Sequence, residues 1–257
     1  MTDLDRLSAF LASEGRPRVW SILVTILGDL GGLVEMQTCL ALCSRIGVEE
    51  QAVRTAMSRL VKDGLVEGER TGRTSAYRFS VSALADYRAA APLVYAAPKK
   101  VGSWRAALLP PAPDRSTLID RLAPTHPFGL GDALLVWPSG SPWASDAERL
   151  AGRDVVWLDL PDGERPAWTT THHAPRINTA MAALLVEVLG REGWQPPADP
   201  EEAAALRILA LHFWRRLVLR YPPIHAPLAA DIWPLPAAHD AIAAVYHRLG
   251  GAPDRFT

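Results

Sequence analysis

The sequence predicts an α+β protein in three parts, and three textures along its 257 residues carry that prediction. Residues 1–88 contain one proline, Pro17, and repeat apolar residues at helical spacing. Residues 100–165 alternate short apolar runs with Pro, Gly and Asp turns, the pattern of strands. Residues 175–257 return to helical spacing between prolines. A chain of this length holds two or three compact domains, and these segments are the expected ones.

Arg18–Leu27 is apolar and β-branched, reads as a helix, and ends where Gly28-Asp29 and Gly31-Gly32 supply stop signals. Glu35–Arg45 follows, with Met36, Leu40 and Cys43 inward; Gly47 makes the tight turn and Val48 the apolar plug. A third helix runs from near Glu49 to Asp63, and Gly64 stops it. Leu65–Arg70 and Ser75–Phe79 read as paired strands around the turn at 71–74. The Ala/Pro-rich stretch Ala89–Lys100 reads as a linker. Trp104–Leu109, Ala133–Trp137 and Val155–Leu160 are the expected central strands, with Ser116–Leu122 as a helix between them. The last part is expected as helices Ile177–Arg191, Pro200–Leu219 and Pro236–Leu249, the second opened by Pro200 with Glu201 and Glu202 at its positive end.

The third helix points to a function. At 100° per residue Val53, Ala56, Met57 and Leu60 share one face. Gln51, Arg54, Thr55, Ser58 and Lys62 lie opposite, with Arg59 at the edge and no acid expected before Asp63. Arginine can fork onto guanine, glutamine can pair with adenine, and hydroxyls reach bases or phosphates. The hairpin adds Arg70, Arg73, Thr74 and Arg78 against Glu67 and Glu69. A formal net charge of −1 gives no bulk positive field, so affinity for DNA must come from this local surface. Together these features predict a winged helix-turn-helix, with Arg73→Ala expected to flatten the salt dependence of binding by about one phosphate contact.

Other chemistries find little support. No apolar run reaches the roughly 18 residues of a membrane span, and the N-terminus lacks a secretory pattern, so a cytoplasmic protein is expected. Cys39 and Cys43, four apart on one helix, read as packing residues in a reducing compartment. His172-His173 are adjacent, and His239 and His247 are two helical turns apart, so neither pair suits one metal ion. Leu108-Leu109-Pro110-Pro111 places no carboxylate at the end of the first central strand, against a metal-dependent nuclease. No P-loop, G-x-S-x-G or G-x-G-x-x-G occurs, and no cofactor is expected. Eight tryptophans outside the first part (104, 137, 143, 157, 168, 194, 214 and 233) read as core or as walls of a ligand pocket. Arg215, Arg216 and Arg220 read as surface charge or as contacts to a phosphate-bearing ligand.

The run from Gln51 to Phe79 resembles the PaaX family of repressors. It carries Val53-Arg54-Thr55, Arg59-Leu60 and Gly64, then Gly72-Arg73-Thr74-Ser75-Ala76-Tyr77. Ser21–Asp29 resembles that family's first helix. Trp104–Leu109, Leu118–Leu122 and Gly129–Pro138 resemble its ferredoxin-like (Cas2-like) central domain. Trp214–Leu219, Leu228 and Trp233–Leu249 resemble its helical C-terminal domain. The resemblance implies a homodimeric repressor of catabolic genes, released from double-stranded operator DNA by an effector such as phenylacetyl-CoA or another acyl-CoA; an aromatic acid is a further candidate. The rival reading is an enzyme acting on an acyl-CoA-type metabolite, with the winged helix as an interaction module. A footprint on DNA upstream of the protein's own gene would separate the two.

Overall fold

The computed structural model describes residues 1–15, 18–72, 74–96, 103–111, 113–125, 127–161, 179–220 and 235–256. The residues up to 96, 179–220 and 235–256 form one compact unit, and 103–161 belong to a second.

The first unit opens with α1, Asp3–Ser13. Thr2 and Asp5 cap it reciprocally: the Asp5 N–H donates to Thr2 Oγ1 at 3.1 Å and the Thr2 N–H to Asp5 Oδ2 at 2.8 Å. Leu4, Leu7 and Leu11 are its buried stripe. This helix is not among the elements expected from the sequence. α2, Val19–Leu30, buries Ile22, Leu23, Ile26 and Leu27. It runs through the expected stop at Gly28-Asp29 and ends at Gly31, where φ is +69°. Gly28 is there for space: a Cβ at this position would overlap the Tyr87 ring. Gly28→Ala is therefore expected to lower Tm, although alanine favours a helix by about 1 kcal/mol. Overpacking costs about 1–3 kcal/mol, and the ring would also lose its hydroxyl contact with Tyr95 (3.0 Å). A melting curve at or above that of the parent would contradict this.

α3, Met36–Arg45, buries Cys39, Leu40, Leu42 and Cys43. Burial pushes the Cys39 and Cys43 thiols up to about 11 and 12, so both stay protonated at neutral pH. α4, Glu50–Lys62, leads into a hairpin of β2, Val66–Thr71, and β3, Thr74–Phe79. β1, Val34–Glu35, pairs with the other edge of β3, giving the antiparallel order β1-β3-β2. α5, Val81–Tyr95, is capped by Ser80 and contains Pro92. The expected linker over Ala89–Lys100 is thus corrected for 89–95, which are helical; 97–100 lie outside the described residues. Proline removes one helical donor, but the last turn is held by packing. Val94 and Tyr95 are buried, and the Trp214 indole donates to the Val94 carbonyl at 2.7 Å.

α8, Thr179–Leu189, α9, Pro200–Arg220, and α10, Leu235–Tyr246, complete this unit. Leu206, Leu209, Phe213, Trp214 and Leu217 of α9 are buried, and α9 packs against α1, α2, α3, α5, α8 and α10. A helix apolar on most sides becomes the centre of its domain.

The second unit has the order β4 (Ser103–Leu108), α6 (Asp114–Leu122), β5 (Phe128–Leu130), β6 (Leu134–Pro138), α7 (Pro142–Ala151) and β7 (Val156–Pro161). Its sheet runs β5-β6-β4-β7, every pair antiparallel. One face buries Ala107, Leu135 and Trp137 against Leu118 and Leu122 of α6 and Ala144, Ala147 and Ala151 of α7. The Trp137 indole donates to Thr125 Oγ1 at 3.0 Å. β5 and α7 are not among the elements expected from the sequence.

Candidate nucleic-acid interface

The surface is built on the turn at Ile46-Gly47-Val48. Gly47 takes φ +84°, which costs a residue with a side chain, and Val48 is buried beside it. α4 then packs on α2 and α3 through Val53, Ala56, Met57 and Leu60, all buried. That fixes its rotation. Gln51, Arg54, Thr55, Ser58, Arg59 and Lys62 are all exposed. Gly64, at φ +71°, ends the helix, and the Leu65 N–H bonds the Leu60 carbonyl at 3.0 Å, so the hairpin grows directly from the end of α4.

Charge on this surface is distributed differently from the sequence expectation of an acid-free face. Glu50, one turn before Arg54, accepts from its Nε at 2.8 Å and its Nη2 at 2.6 Å. Exposed pairs of this spacing contribute about 0.3–0.5 kcal/mol, so a phosphate or base edge can displace Glu50. Arg78 lies 3.3 Å from Glu67 and 3.0 Å from Glu69, and those acids cancel its charge. Arg70 donates to the Gly72 carbonyl at 3.3 Å. Among the described residues the side chains of Arg59 and Lys62 have no ion pair or hydrogen bond. Thr74 is exposed at the hairpin tip, and Arg73 lies outside the described residues. Among the described residues the free positive charge of this surface therefore sits at the C-terminal half of α4 and on Arg70.

Behind this surface is a polar cluster that the sequence analysis missed. Asp29, at the end of α2, is 6 % exposed. Its Oδ2 accepts from Arg207 Nε at 2.9 Å and its Oδ1 from the Tyr246 hydroxyl at 2.6 Å. Arg255 Nη1 lies 3.5 Å from the same carboxylate. Arg215 is not surface charge: it donates to Thr25 Oγ1 at 2.8 Å and lies 5.2 Å over the Tyr87 ring. Arg216 pairs with Glu14 at 2.6 Å. The side chain of Arg220 lies outside the described residues, as do Trp168, Trp233, Leu228 and His172-His173. Trp104, Trp137, Trp194 and Trp214 are core. His239 is buried 5.6 Å from Trp214. Among the described residues no three His, Cys, Asp or Glu side chains gather as metal ligands, and no helix is long and apolar enough to cross a membrane.

His212 supplies a pH dependence. Burial first, then the Arg216 and Arg215 guanidiniums, push its pKa down to about 3. The unfolded chain takes up this proton near pH 6.5, so it binds more protons than the fold between those values. The stabilisation is complete above about pH 6.5 and is lost as pH falls towards about 3. Urea midpoints measured from pH 7 to pH 4 are expected to fall less steeply for His212→Gln than for the parent. Coincident slopes would contradict the assignment.

The structure thus places an exposed polar helix, α4, directly before the β2–β3 hairpin in a chain of mixed helix and sheet. Residues 16–83 match the family model described as PaaX-like protein, and residues 178–257 match the PaaX-like protein C-terminal domain. The two matches together span more than half of the chain, which belongs to the PaaX family. It is 27 % identical over 271 residues to the transcriptional repressor PaaX of Escherichia coli (strain K12), covering 92 % of this chain and 82 % of that one. A similar solved structure is the uncharacterized protein Rv0674 from Mycobacterium tuberculosis: 18 % identity, TM-score 0.47, covering 89 % of this chain and 92 % of that one.

Proposed function

We propose that this protein is a transcriptional repressor, not an enzyme, and that it binds double-stranded DNA through α4 and the β2–β3 hairpin as a winged helix-turn-helix. One observation carries the reading. The outward face of α4 holds an amide, two hydroxyls and three long cations, two of which have no protein partner among the described residues. Such side chains suit base edges and phosphates in a major groove. In this reading Gln51, Arg54, Thr55 and Ser58 face the bases, Arg59 and Lys62 the phosphates, and Arg70, Arg73 and Thr74 the backbone beside the hairpin.

The chain acts as a homodimer in the cytoplasm, because one short helix buries too little for useful specificity and two-fold pairing doubles the contact. A small-molecule effector, an acyl-CoA or an aromatic acid, releases it from DNA. The functional modules in this reading are the DNA-binding part expected over 1–88, with α5 continuing to Tyr95, the middle part over 100–165 and the helical part over 175–257; the β-α-β-β-α-β order of the middle one supports a ferredoxin-like fold. A gel-shift salt series tests the proposal. Arg54→Ala is expected to weaken specific binding about tenfold while sparing nonspecific binding. Lys62→Ala should weaken both and reduce the salt slope by about one phosphate contact. If both variants bind like the parent, this docking is wrong.

A further inference from the structure

The first unit contains a cavity of about 720 Å³ bounded by the end of α2, β3, α5 and residues 254–256. Its volume is within the range of about 300–1,000 Å³ usual for small-molecule sites. Tyr87, Tyr95 and Phe256 contribute aromatic walls. Its described lining includes three guanidiniums, Arg78, Arg88 and Arg255, against one carboxylate, Asp254. Arg78 is already matched by Glu67 and Glu69. Arg88 is exposed and has no partner among the described residues.

Arg255 is the more telling of the two. It donates to the Gly28 carbonyl at 2.6 Å and to the Tyr95 hydroxyl at 2.9 Å, both neutral acceptors. Its nearest described carboxylate, Asp29 at 3.5 Å, already serves Arg207 at 2.9 Å. One carboxylate is thus shared by two guanidiniums with side chains only 8 % and 18 % exposed. Among the described residues this poorly solvated cluster carries more positive than negative charge, which favours a counter-anion, and a carboxylate or phosphate can accept two parallel donors from one guanidinium.

We propose that this cavity binds a small organic anion with a planar apolar body, its charge between Arg88 and Arg255 and its body against Tyr87, Tyr95 and Phe256. This gives the effector of the proposed repressor a place in the first unit. Arg78 and Phe79 carry the cavity wall into β3, so occupancy bears on the hairpin. That consequence rests on the DNA-binding reading; ligand binding itself does not.

Isothermal titration of the full chain, without DNA, tests the site and keeps its failure separate from failure of the DNA reading. Benzoate and phenyl phosphate are the probes, with benzamide (ring without charge) and inorganic phosphate (charge without ring) as controls. At least one ring-bearing anion should bind with a Kd of about 1 mM or tighter, and the preferred one identifies the anionic group. The controls should bind at least about tenfold more weakly. Arg88→Ala should weaken the preferred probe about tenfold, and Ala91→Trp, which fills the cavity from α5, should abolish binding. Absence of binding by both anions would overturn the proposal. So would a control binding as tightly as the better probe, or affinities unchanged in both variants.

Discussion

Asp29→Asn is expected to remove about 3–5 kcal/mol of folding stability, the cost of breaking a buried ion pair from one side. The Asp29 side chain is 1 % exposed and bonds Arg207 at 2.9 Å and the Tyr246 hydroxyl at 2.6 Å. Asparagine keeps the shape and loses the charge. Among the described residues Asp29 is the ion-pair partner of both Arg207 and Arg255, so both would lose it, and one amide oxygen would replace the two carboxylate oxygens that serve these donors. Against a usual total of about 5–15 kcal/mol this is a large fraction. Urea denaturation of the parent, Asp29→Asn, Arg207→Gln and the double variant measures it. The double variant should be less destabilised than the sum of the singles, because each change alone strands the other partner. A loss below about 1 kcal/mol for Asp29→Asn would show that the cluster is not under electrostatic demand. The pair joins α2, on which α4 rests, to α9, so its loss should also loosen the support of the proposed reading helix.

Arg59→Glu is expected to cut DNA affinity about 100-fold at moderate salt while leaving the melting temperature near that of the parent. Arg59 is exposed and free of ion pairs among the described residues, so its replacement breaks nothing in the fold. Against DNA the change removes one cation and adds one anion beside the phosphates. Each lost phosphate contact lowers the slope of log affinity against log salt by about 0.9, and repulsion adds to that. The loss should therefore shrink as salt rises. Fluorescence anisotropy with labelled duplex across a salt series would show it. A loss independent of salt would mean that Arg59 acts through structure rather than through charge.

The parts of the fold that could be read beforehand are those whose cause is local. The rotation of α4 followed from its period alone, and Val53, Ala56, Met57 and Leu60 are all buried. The hairpin pairs Thr71 with Thr74 around 72–73, close to the expected turn. α1 carried a readable signal too: Thr2 and Asp5 at capping-box spacing before leucines at 4, 7 and 11. What stayed hidden depends on partners far along the chain. Gly28-Asp29 imitates a helix stop, yet Asp29 is held by residues 178 and 217 positions away. Pro92 imitates a linker, yet Trp214 holds its helix. α7 buries Ala144, Ala147 and Ala151, residues too small to give a strong apolar stripe. In the interface the outward residues were legible from the period, but the neutralising role of Glu50, Glu67 and Glu69 was not, because pairing depends on rotamers.

The central claim is that α4 and its hairpin read DNA sequence as a two-fold pair. Selection from a library of random duplexes, using the full chain and Arg59→Glu in parallel, tests it most directly. The account predicts enrichment of a palindrome whose half-sites are centred about 10 base pairs, or a multiple of that, apart, with Arg59→Glu recovering little or none of it. Recovery of no preferred sequence by the folded parent, or equal enrichment by Arg59→Glu, would contradict it.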